Sequence, residues 1–167
     1  MLLEDYSEKN THNQSHPKLR FLCPHHRDWV YFNSQEALAS LEQMQLKGEF
    51  LLEHHKYQEA LPLIGCAWET VEILLELYTG ERSTLVTRFG CLTVLLDNCF
   101  RSLKQKVCAE HVCKQAVETL KTSVEQLDPT SDAYEYVSQC IAQLQKPELF
   151  RFYLMPIPAS QRSVAMH

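Results

Sequence analysis

Glycine is scarce in this chain, with four in 167 residues, and three of the four fall in or beside helical patterns. An all-β domain needs far more turn chemistry than that, so the scarcity argues for helices. Clusters of basic residues are missing too. The 16 Lys and Arg are scattered singly among 21 acidic residues, for a net charge of −5. A nucleic-acid surface requires a basic stripe to displace phosphate counterions, and a membrane-surface helix requires a basic face, so neither partner is expected. No run approaches the roughly 20 apolar residues that span a bilayer. The opening MLLEDYSEKNTHNQSHPK has no basic region followed by an apolar stretch, so no secretory signal is expected. Also absent are a phosphate-binding glycine loop, a His-Glu-x2-His pair, a Gly-x-Ser-x-Gly elbow and a Cys-x2-Cys knuckle. The expectation is therefore a protein that is not an enzyme and needs no cofactor.

What is present fits one globular domain. The apolar share of 45% and charged share of 22% are ordinary for a packed protein and argue against wholesale disorder. The seven cysteines, at positions 23, 66, 91, 99, 108, 113 and 140, are odd in number and lie mostly on apolar helical faces. They read as reduced, buried thiols of a cytoplasmic protein.

Residues 1–18 are polar and without period, and are expected to be mobile. Residues 19–33, LRFLCPHHRDWVYFN, are aromatic and broken by Pro24, and read as an irregular arm packed on the rest. Residues 34–146 carry helical periodicity. Asn33 and Glu36 have capping-box spacing, and Ala37, Leu41, Met44, Gly48 and Leu51 follow on one face. A second helix carries Ala60, Ile64, Ala67, Val71, Leu74 and Tyr78, with Pro62 expected inside its first turn and Thr79-Gly80 closing it. A third, Ser83 to Leu103, is apolar on more than half its circumference and is expected at the centre. A fourth runs from about Lys106 to Leu127. Asp128 and Pro129 then read as cap and first residue of a fifth helix carrying Tyr134, Val137, Ile141 and Leu144. Residues 147–167 form a tail, first apolar and extended, then polar.

Five helices with short connections predict an all-α fold of stacked antiparallel hairpins. Met44, Lys47, Gly48 and Leu51, followed by Tyr57, Ala60, Ile64 and Ala67, resemble the tetratricopeptide repeat, with leucine replaced at Lys47. The close match covers residues 44–67, and at fold level the likeness extends over about 35–146. The resemblance implies a right-handed superhelix or bundle whose concave groove is lined by the opening helix of each hairpin. Groove positions would be Glu42, Gln45, Glu49 and Leu52, with Thr84, Thr87, Arg88, Cys91 and Val94 opposite. Members that clamp a C-terminal carboxylate use Lys and Asn there. This acidic set fits a basic or amphipathic helical segment of another protein instead.

Three further readings complete the set. A small chaperone for a secreted or flagellar subunit is the nearest alternative function. Cys23, His25 and His26, with zinc-type donors side by side, are the candidates for a zinc-dependent or cysteine-based enzyme or sensor. Leu149, Phe150, Phe152, Tyr153, Leu154 and Met155 are too apolar to be left as one patch in water. They either fold back on the domain or form a homodimer contact.

Overall fold

A computed structural model describes residues 17–78 and 83–146, and within them the only regular elements are six α-helices. These are α1 (Pro24–Phe32), α2 (Ser34–Glu53), α3 (Tyr57–Leu77), α4 (Ser83–Ser102), α5 (Lys106–Val124) and α6 (Asp132–Leu144). Each helix from α1 to α6 packs on the next across its described connection, and α3 packs on α4. Contacts between α1 and α3, α2 and α4, α3 and α5, and α4 and α6 tie alternate helices together as a bundle.

The expected irregular arm is shorter than residues 19–33, because α1 occupies most of it. Pro24 opens this helix at its first position, where a missing amide hydrogen has no partner to lose, with Cys23 in extended backbone before it. Only Leu19–Leu22 remain as an arm ahead of α1. Asn33 alone separates α1 from α2. It sits at the α2 N-cap position, but its side chain makes no cap bond and donates instead to the Trp29 carbonyl at 2.9 Å. The expected capping box therefore does not form, since the amide is committed to the last turn of α1.

Two other boundaries differ from expectation for local reasons. Pro62 is the sixth residue of α3, past the first turn, and the bond it forgoes is to the carbonyl of Gln58, an exposed residue that water can serve. Asp128 and Pro129 do not open α6. Asp128 accepts from the Thr130 amide at 2.9 Å and hydroxyl at 2.8 Å, and the Ser131 amide closes a turn on the Asp128 carbonyl at 2.9 Å. Ser131 is the cap, accepting from the Tyr134 amide at 3.2 Å.

The two hairpins, α2–α3 and α4–α5, turn in the same way. His55 and Lys104 adopt left-handed backbone, with φ of 57° and 63°. In the first turn His55 donates to Leu52 and Lys56 to Leu51, at 3.0 and 2.9 Å. In the second Lys104 donates to Arg101 and Gln105 to Phe100, at 3.0 and 2.8 Å. Both are Schellman closures that satisfy the last free carbonyls of a helix, built without the usual glycine. The interval from Ser34 to Ser83 equals that from His55 to Lys104. At the same interval lie two pairs of fully buried alanines, Ala60 with Ala109 and Ala67 with Ala116. The two hairpins thus share turn conformation and residue spacing.

Centrality is shared between α4 and α3 rather than resting on α4 alone. From Ala67 to Leu75 every residue of α3 is buried, so that stretch is covered around its full circumference. Trp68 lies at its middle, stacked on Phe89 at 5.5 Å and donating to the Thr93 hydroxyl at 2.9 Å. Gly48 lets α2 approach: a methyl group there would lie under 3.0 Å from two side-chain carbons of Ile64. None of the seven cysteines forms a disulfide, but only Cys99 and Cys113 are buried, while Cys23 and Cys91 are exposed.

Candidate functional site

α4 contacts both α2 and α6, and some of the expected groove residues interact across these helices. On α2, Gln45 donates to the Glu49 carboxylate at 2.8 Å. Glu49 lies close enough to Cys91 of α4 to act on its thiol. Although Cys91 as a residue is exposed, partial shielding of its sulfur from water first, then Glu49, pushes that thiol above its ordinary range, while Arg88 opposes them. The Cys140 thiol of α6 is raised by burial, lowered by a hydrogen bond with Tyr136 and raised by Cys91. The Tyr136 hydroxyl in turn meets that of Thr87. Glu49 of α2, Arg88 of α4 and Cys140 of α6 thus lie within electrostatic range of Cys91, with Gln45 bonded to Glu49 and Tyr136 to both Thr87 and Cys140. Tyr136 and Cys140 escaped the sequence reading, which took from this last helix only its stripe of Tyr134, Val137, Ile141 and Leu144.

Glu42 and Thr84 are exposed on α2 and α4. Leu52 and Val94 do not line the face. Both are buried in the core cluster, at 9% and 8% exposure, because α2 and α4 turn these positions inward. One buried polar atom, the Gln45 side-chain oxygen, has no hydrogen-bond partner. A carbonyl withdrawn from water and left without a donor is costly, and it lies beside a carboxylate that also accepts only.

Cys23, His25 and His26 are all exposed at the start of α1. The Cys23 sulfur contacts Nδ1 of His26 at 3.1 Å, and the two imidazole rings lie 6.2 Å apart. Among the described residues no group of three or more His, Cys, Asp or Glu side chains is placed to hold a metal ion. Leu149, Phe150, Phe152, Tyr153, Leu154 and Met155 lie outside the described residues.

The most elaborate polar arrangement was missed by sequence reasoning altogether. Glu69 of α3 is fully buried, and its carboxylate accepts the backbone amides of Phe21 and Leu22 at 2.5 and 2.7 Å. Arg27 of α1 pairs closely with the same carboxylate, and Arg20 approaches it at 3.5 Å. On α5, Gln115 accepts the Leu19 amide at 2.7 Å and donates weakly to the Leu19 carbonyl at 3.5 Å. Its amide also reaches Glu72, a second buried carboxylate, which accepts from the Thr119 hydroxyl at 2.8 Å. The arm's Phe21 ring meets Trp68 edge-on at 6.2 Å and Phe100 at 6.3 Å, over a floor supplied by Gly65. The only signal available in the sequence was position: Glu69 and Glu72 fall within the stripe of apolar residues 68, 71 and 75.

A third feature is an open depression of about 360 Å³ between α4, α5 and the end of α6. Arg101, Lys114 and Lys121 line it together with Glu110 and Glu118. Asp97 sits behind it, buried, accepting from Arg101 at 3.0 Å and from the Cys113 thiol at 3.7 Å. Mixed charge gives it no preference for ligands of one sign.

The described architecture defines the class: an all-helical bundle, with no described helix long and apolar enough to cross a membrane. The chain matches no protein-family model, no curated protein and no solved structure.

Proposed function

We propose that the chain is a non-catalytic, tetratricopeptide-like interaction domain whose α2–α4–α6 face holds a basic, amphipathic helical segment of another protein. The observation that carries this reading is the buried, unpartnered Gln45 oxygen beside the Glu49 carboxylate. Two acceptors with no spare donor between them suit an incoming lysine or arginine, which brings donors and positive charge together. Glu42 on the same helix extends the acidic side of the face. Arg88 sets a limit at the α4 edge, favouring a segment whose basic residues lie along one side only. Opening helices in contact with one another, as in the repeat family, supply the long shallow surface that a helical ligand needs.

The test is titration of a labelled Lys/Leu amphipathic helix, followed by anisotropy, against wild type and the E42K/E49K double variant. The expected result is a loss of about tenfold or more in affinity with the circular dichroism unchanged, and greater salt sensitivity in the wild type. Equal binding by both proteins, or equal binding of a Glu/Leu helix by wild type, refutes the assignment of the face.

A further inference from the structure

We propose that the furrow between α3 and α5 is a second peptide site, which takes an extended segment of another protein containing a basic–aromatic–leucine run, and that residues 19–22 fill it as a displaceable ligand in cis. This inference stands independently of the α2–α4–α6 reading.

The furrow reads backbone rather than helix. Glu69 takes two consecutive amides of the arm, and Gln115 takes an amide and a carbonyl two residues earlier. Hydrogen bonds of this kind accept any extended chain, and a side-chain pocket then sets the preference. Here that pocket is the space above Gly65, walled by Trp68 and Phe100, which takes the Phe21 ring. At the neighbouring position Arg20 is 45% exposed and reaches back to Glu69. Leu22 packs partly buried against the core, so the recognised pattern is a basic residue, an aromatic one, then leucine.

Two features make the arm exchangeable. Arg27 belongs to α1, not to the arm, and it stays against Glu69 when residues 19–22 leave, so the departure strands no bare buried charge. α1 also keeps its own anchors. Val30 is buried, and the Tyr31 hydroxyl donates to Glu76 at 2.8 Å. Release therefore needs only a change of direction at Cys23, which is exposed. The connected arm competes at a high effective concentration, so a ligand in trans gains entry most readily when the arm is weakened.

The experiment uses the full chain and a labelled, end-blocked peptide, Pro-Lys-Leu-Arg-Phe-Leu, which copies residues 17–22. Phe21→Ala empties the pocket in cis. Leu19→Pro removes the amide held by Gln115 while leaving Phe21 in place, and so serves if the first variant does not fold. The folded variant is expected to bind the peptide about tenfold more tightly than wild type does, and to lose it when the peptide's Phe is replaced by Ala. A folded variant that binds no better than wild type overturns the proposal. So does binding that is indifferent to the peptide's aromatic residue.

Discussion

Three glycines sit inside helices of this bundle, and the same substitution at each has a different consequence. Replacing a mid-helix glycine by alanine is worth about 1 kcal/mol from backbone entropy alone. At Gly90 nothing lies within 4 Å of the added methyl, so G90A is expected to gain most of that amount. At Gly48 the methyl collides with the side chain of fully buried Ile64, and overpacking of about 1–3 kcal/mol turns the gain into a net loss near 1 kcal/mol. At Gly65 the methyl would lie under 3.0 Å from three atoms of the Phe21 ring, and the easiest relief is to expel the arm. Half-buried Phe21 then forfeits about 1 kcal/mol of burial. Two amide bonds to the Glu69 carboxylate cost about 3 kcal/mol more at the low end of charge-assisted bonds. Against the helical gain of about 1 kcal/mol, G65A should lose about 3 kcal/mol. The order G90A, wild type, G48A, G65A is read from urea titrations followed by circular dichroism. A double-mutant cycle sharpens it: Phe21→Ala should cost close to nothing once Gly65→Ala has released the arm, and about 1 kcal/mol or more in wild type. Equal stability of G65A and G90A, or a Phe21→Ala cost indifferent to residue 65, would show that the ring does not rest on α3 as described.

Two further outcomes follow from backbone and burial. His55→Gly and Lys104→Gly relieve left-handed backbone at non-glycine residues, and each should raise stability by about 0.5–1 kcal/mol, while H55V should lower it; thermal melts decide. Burial pushes the Cys99 thiol from its ordinary 9.0 up to about 11, and Cys66, Cys91 and Cys140 are raised in the same direction. A raised folded-state pKa means that the unfolded chain gives up its proton first. Stability should therefore be level below pH 9 and fall as pH climbs towards about 11. Cys99 alone accounts for roughly 3 kcal/mol of that fall. Denaturation midpoints of wild type and Cys99→Ala should converge at the alkaline end, and parallel curves would contradict the assignment.

Much of the helical framework was legible because apolar spacing reports it directly. α4 and α5 begin where the stripe begins, and the repeat-like positions Gly48, Ala60 and Ala67 are buried, Gly48 tightly against Ile64. The misses share a physical origin. Pro24 was read as a breaker when its place before an aromatic run made it an opener. Asn33 and Asp128 have short side chains that can serve either a cap or a neighbouring carbonyl and turn, and only the surrounding chain decides between them. Periodicity also treats every carboxylate as a mark of solvent, so Glu69 and Glu72 were assigned to no partner. Their partners lie on the arm, on α1 and on α5, far along the chain, where no local pattern points to them. For the open face, position on α2 and α4 was readable for Gln45, Glu49, Arg88 and Cys91. The contribution of Tyr136 and Cys140 was not, because it depends on how α6 lies against α4.

The arm's attachment to Gln115 joins positions 96 residues apart, whereas each hairpin closes on its own sequence through a tight turn. Loop-closure entropy favours the near contacts first, so the two hairpins form and stack before the arm has a furrow to enter. Docking of residues 19–22 is then the last step of folding and the first to be undone. Interactions made after the folding barrier act on the rate of unfolding rather than of folding. In kinetic terms the arm is a bolt drawn across a finished structure, and the Glu69 carboxylate sets how long the native state lasts more than how fast it is reached.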